Sequence, residues 1–163
     1  LAETGILRCD FLLRDDIETI HAATDLLAEA KLSPELRNEA LYYRAKAYTK
    51  QKADKKAMED YRELAKDTRN SYGAEAKYQV AQSLYDAKEY AAAEKELLNY
   101  IEQSTPHAYW LARSFILLSD VYHATGKDLD ARQYLLSLQQ NYQGNDDIES
   151  MIESRLSKLK VEN

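Results

Sequence analysis

The chain has 163 residues, of which only four are Gly and two Pro, too few turn formers for a sheet-rich domain, so composition points to helices. Its 28 acidic residues against 22 basic ones give a net charge of −6, and a surface of that sign repels a polyanion, which argues against nucleic acid as a partner. No apolar run approaches the roughly 18 residues of a membrane span, and the single cysteine, Cys9, allows no internal disulfide.

In chain order, residues 1–8 (LAETGILR) lack the basic leader, apolar stretch and cleavage site of a signal peptide, and Arg8 beside Cys9 does not suit lipid attachment. The sequence starts without Met and already in periodic pattern, so it reads as a piece of a longer protein. Apolar periodicity predicts helices over residues 2–14, 17–31, 34–50, 54–68, 72–86, 90–103, 107–124, 128–141 and 146–160. The first helix of each pair carries one stripe: Thr4, Leu7, Arg8 and Phe11 in a degenerate first copy, then Leu41, Arg44, Ala45 and Tyr48, then Lys77, Val80, Ala81 and Leu84, then Phe115, Leu118, Ser119 and Tyr122. The second helix carries another: Ile17, Ile20, Thr24 and Leu27, then Asp54, Ala57, Tyr61 and Leu64, then Tyr90, Ala93, Leu97 and Tyr100, then Asp128, Ala131, Leu135 and Leu138. Successive copies of this second stripe are offset by 37, 36 and 38 residues. Paired amphipathic helices at such a period signal a helical repeat.

Punctuation agrees with the period. Ser33-Pro34 and Thr105-Pro106 each place a capping hydroxyl before a Pro at the first helical position. Ser71 and Asn145 stand at comparable boundaries, and KQKADK, DAKE and TGKD are the polar turns within pairs, with Gly126 as a helix terminator. The final stretch NDDIESMIESRLSKLKVEN puts Ile148, Met151, Ile152, Leu156 and Leu159 on one face and Glu149, Glu153 and Ser157 on another. It reads as a capping helix, closing the array with a polar outer side.

The stretch AEAKYQVAQSLYDAKEYAAAEKELLNYI (74–101) resembles the tetratricopeptide repeat: Ala81, Tyr90 and Ala93 stand where that repeat has its small, aromatic and small residues. Copies at 38–66 and 112–139 match at Ala45 and Ala57 and at Ser119 and Ala131, but carry Asp54 and Asp128 in place of the aromatic. Longer repeats, S/T-P boundaries and a single capping helix are similar to bacterial cell-envelope repeat proteins of the outer-membrane assembly lipoprotein and periplasmic cell-division coordinator type. The resemblance implies an all-α, right-handed superhelix of antiparallel helix pairs. Its repeats would cover about 1–32, 34–70, 71–104 and 106–143, and the cap about 146–160. It also implies a periplasmic or outer-membrane-associated location.

Nothing in the sequence points to catalysis or a cofactor. His21, His107 and His123 form no metal-binding pair, no Gly-rich phosphate loop exists, and Asp15-Asp16 with Glu18 and Asp25 reads as acids at a helix start. The cluster Arg44, Lys46, Lys50, Lys52, Lys55 and Lys56 reads as a solvated helix end, with a docking patch for an acidic partner as the alternative. Of the tyrosines, Tyr48, Tyr61, Tyr90, Tyr100 and Tyr122 fall on packing stripes. In the repeat class resembled, first helices line a concave face, which implies that residues one step past the stripe face a groove. That set is Tyr42, Lys46 and Thr49, then Tyr78, Gln82 and Tyr85, then Ile116, Asp120 and His123. It does not resemble the Lys/Asn/Arg carboxylate clamp of chaperone-binding repeats. The expected function is a non-catalytic scaffold holding a protein or peptide segment in that groove. The alternative is a structural module that self-associates through its terminal helices.

Overall fold

Helix starts follow from local chemistry. Asp15 accepts a hydrogen bond from the Glu18 amide at 3.1 Å, Ser33 from Leu36 at 3.3 Å with Pro34 next to it, and Asn70 from Gly73 at 2.8 Å, each satisfying an amide that a first turn leaves open. The computed structural model describes residues 5–8 and 15–159. Residues 5–8 are helical, and eight further helices follow: α1 (Asp16–Leu27), α2 (Pro34–Lys50), α3 (Asp54–Leu64), α4 (Ser71–Asp86), α5 (Tyr90–Glu102), α6 (Ala108–Ala124), α7 (Asp128–Asn141) and α8 (Ile148–Lys158). The described residues contain no strand, so the fold is all-α. No helix among them is long and apolar enough to cross a membrane.

The chain divides into two compact units, Leu1–Asp67 and Thr68–Asn163. In the first, α1 packs on α2 and α2 on α3. Leu7, Ala23, Leu26 and Ala40 form one buried cluster there, and Arg8 forks onto the Glu39 carboxylate. In the second unit α4 packs on α5, α5 on α6, α6 on α7, and α8 on both α6 and α7. The first helices α4 and α6 also touch directly, whereas α5 and α7 do not. Ala81 and Ala93 are both fully buried in one cluster with Leu97, Ile116, Leu118 and Leu135, as small residues at a close helix–helix approach should be. Ser119 serves the same purpose, its buried hydroxyl donating to its own helix at the Ile116 carbonyl, 2.6 Å away.

Three turns within helix pairs share one backbone device. After α6, Gly126 takes φ 80°, its amide donates to the His123 carbonyl at 3.1 Å, and the Lys127 amide donates to the Tyr122 carbonyl at 2.7 Å. This is a Schellman closure. Lys52 (φ 58°) and Lys88 (φ 61°) occupy the same place after α2 and α4, with the next amide reaching Tyr48 at 2.9 Å and Leu84 at 2.9 Å. A lysine in left-handed backbone is strained by about 1 kcal/mol. Replacing Lys88 by glycine is therefore expected to stabilise the chain by up to about 1 kcal/mol, read as a higher urea midpoint at unchanged slope.

Three expectations need correction. In α1 the buried residues are Thr19, Ala23 and Leu26, while Ile17 is 58% exposed and Thr24 is exposed. The true stripe lies one residue earlier, because Asp15 caps the helix and Asp16 takes the first helical position that Asp54 and Asp128 take in α3 and α7. The Thr105-Pro106 pair does not start a helix; α6 begins at Ala108 with His107 before it. Thr105 instead ties the loop, donating to the Thr68 carbonyl at 3.1 Å and accepting from the His107 amide at 3.3 Å. Asn70, not Ser71, caps α4. In α8, Ile148 and Ile152 are buried, as is Leu159 just after it, and Glu149, Glu153 and Ser157 are exposed. Of the degenerate first stripe, Thr4 and Phe11 lie outside the described residues, as does Cys9.

Candidate partner-binding face

The first unit carries three of the expected groove residues on α2. The Lys46 ammonium sits 5.2 Å from the centre of the Tyr42 ring, and Thr49 spends its hydroxyl on its own helix, donating to the Ala45 carbonyl at 2.9 Å. Arg44, part of the basic cluster, is committed inward: its Nε and Nη2 donate to the two oxygens of the buried Asp60 carboxylate at 2.8 and 2.7 Å. That bond raises the Arg44 pKa above its ordinary value.

The second unit carries the other six. Tyr78 is only 6% exposed and lies against Trp110, ring centres 5.6 Å apart. Its hydroxyl donates to Gln82 Oε1 at 3.0 Å and accepts from Arg113 Nη2 at 2.9 Å. Burial raises its pKa, so the phenol stays protonated. Gln82 passes the chain on, donating to Asp86 at 2.9 Å. Tyr85 is half-buried with its ring edge on Tyr90, and burial, then the Asp120 carboxylate, raises its pKa. Asp120 accepts from Arg155 of α8 at 3.3 and 3.4 Å. Burial still outweighs the guanidinium and leaves the Asp120 carboxyl above the usual range. His123 faces Asp128, Nδ1 to Oδ1 2.8 Å, and with Asp120, Arg155 and Lys158 borders a cavity of about 20 Å³, enough for one water.

Ile116 does not belong to this face. It is 1% exposed, inside the hydrophobic cluster. One step past the stripe is the side on which α4 meets α6 and α6 meets α8, so the first such residue on each helix is covered; Tyr78, its counterpart on α4, is buried for the same reason.

Sequence reading missed Arg113, Tyr109 and Trp110. Arg113 is half-buried, 4.8 Å from the centre of the Tyr78 ring, 5.8 Å from Tyr109 and 5.9 Å from Trp110. Nη1 donates to the Tyr109 hydroxyl at 2.9 Å, and Nε is buried with no hydrogen-bond partner among the described residues. Burial opposes its charge, but the two phenol oxygens more than compensate and its pKa is raised. No carboxylate forms an ion pair with it among the described residues. The signal available was a lone charged residue in a mostly apolar and aromatic stretch, AYWLARSFILL.

No family model, curated protein or solved structure matches this chain. Among the described residues, no three His, Cys, Asp or Glu side chains gather where they could hold a metal ion.

Proposed function

We propose that the chain is a tetratricopeptide-like repeat scaffold, non-catalytic, that holds a protein or peptide segment on the side where its first helices meet. The contact order within the second unit supports this reading. Successive first helices touch one another while second helices stand apart, and that difference curves an array with the first helices on its inner side. The observation that carries the proposal is Arg113. A half-buried guanidinium, fixed by two phenols and lying within 6 Å of three ring centres but matched by no carboxylate among the described residues, is prepared for an acidic group from outside. Arg155, which pairs with the Asp120 carboxylate, and Tyr85, whose pKa that carboxylate raises, extend the same surface.

Selection of random peptides on the purified protein tests this. Sequences carrying Asp, Glu or a free C-terminal carboxylate are expected. Arg113→Gln is expected to weaken the selected peptides about tenfold or more, the worth of one charge-assisted hydrogen bond, with helicity unchanged. Selected peptides without acidic groups, or with affinity indifferent to Arg113→Gln, would overturn it.

A further inference from the structure

Residues two places apart on a helix point to nearly opposite sides. Thus α6 carries Arg113 and Asp120 towards the face described above, and Phe115 and Tyr122 away from it. On that far side α5 and α7 both lie on α6 without touching each other, and a cleft of about 400 Å³ opens between them. Three rings line it: Tyr134 of α7 lies against Phe115 with centres 5.7 Å apart and against Tyr122 at 5.6 Å. Two carboxylates border the rings. Glu94 of α5 accepts the Tyr122 hydroxyl at 3.1 Å, and Asp130 of α7 is exposed, with no protein partner among the described residues. Burial and Glu94 push the Tyr122 pKa far up, so its ring stays a neutral phenol with a negative face.

Ring faces bordered by carboxylates attract organic cations. The chain shows this within itself, since the Lys127 ammonium lies over the Tyr122 ring, 5.8 Å from its centre, at the edge of the same cleft. We propose that this cleft takes an arginine or lysine side chain from a basic segment of a partner protein. Charge complementarity argues for that occupant, because two carboxylates border the cleft against one ammonium and the whole chain carries −6.

The test is a titration of the protein with the capped tripeptide Gly-Arg-Gly, followed by the ring proton resonances of Phe115, Tyr122 and Tyr134. Saturable shifts of those rings are expected, with the citrulline analogue, which keeps the shape but not the charge, binding about tenfold more weakly or not at all. Tyr134→Leu is expected to weaken the arginine peptide about tenfold. Asp130→Asn, an exposed change that spares the core, is expected to weaken it about threefold, and Lys127→Ala to strengthen it by removing a competing cation. Absence of ring shifts, equal binding of the citrulline peptide, or indifference to both Tyr134→Leu and Asp130→Asn would overturn the proposal. Tetramethylammonium binding as tightly as the arginine peptide would also overturn it, since the cleft would then serve a free small cation.

Discussion

Arg44→Met is expected to lower the stability of the chain by about 3–5 kcal/mol, because it strands a buried carboxylate. Asp60 has only 5% of its side chain exposed, and the Arg44 fork supplies both of its short hydrogen bonds. The same guanidinium reaches Thr24 through Nη1 at 3.3 Å, so one side chain of α2 ties α1 and α3. Methionine keeps much of the apolar stem and removes only the charge and its donors. A purely surface pair would cost less than about 1 kcal/mol on the same change. The double variant Arg44→Met with Asp60→Leu is expected to recover most of the loss, since both charges then leave the interior together. Urea unfolding followed by helicity measures all three proteins. A single variant within about 1 kcal/mol of the parent would mean that the pair is solvated, and would return Arg44 to the basic cluster as a group able to meet a partner. With the large loss, the cluster is reduced to its lysines.

What was legible in the sequence was what close helix packing demands of side-chain size. Ala45, Ala57, Ala81, Ala93, Ser119 and Ala131 are all buried, because a large residue at those points would force the helices apart. The last helix, α8, was legible through its one apolar face. The three turns were legible as polar stretches, but their left-handed backbone was legible only at Gly126. Lys52 and Lys88 adopt the same left-handed backbone, yet lysine carries no turn signal, and the helices on either side impose that conformation. The first copy was read one residue out of register because Ile17 and Ile20 looked apolar enough for a stripe, whereas the Asp15 cap sets the phase and leaves Ile17 largely exposed. At the candidate site, Gln82, Tyr85 and Asp120 could be placed from helix phase alone. Arg113 could not, because what gives it meaning is the pair of phenols from Tyr78 and Tyr109 and the lack of an acid paired with it among the described residues, and those depend on how α4 and α6 come together.

Ile116→Ala is expected to cost about 2–5 kcal/mol and to leave the peptide binding proposed for the Arg113 face nearly unchanged under conditions where the variant is folded. Its side chain is 1% exposed and shares a cluster with Leu97, Val121, Leu135 and Ile152, so truncation opens a cavity that the surrounding helices cannot easily close. Phase counting on α6 puts Ile116 in one row with Asp120 and His123, and a groove role would make the same truncation nearly free in stability and costly in binding. His123→Ala provides the contrast within that row: its side chain is half exposed, and its removal is expected to shift stability by no more than about 0.5 kcal/mol. The two variants therefore separate burial from row membership. A small loss for Ile116→Ala would put the isoleucine on an open face, and would require α4 and α6 to stand further apart than their direct packing allows. A large loss confines the proposed binding face to the residues beyond that contact, Gln82, Tyr85, Asp120 and Arg155 with Arg113 among them, so that a segment held as proposed would meet charge and phenol edges there rather than an apolar floor.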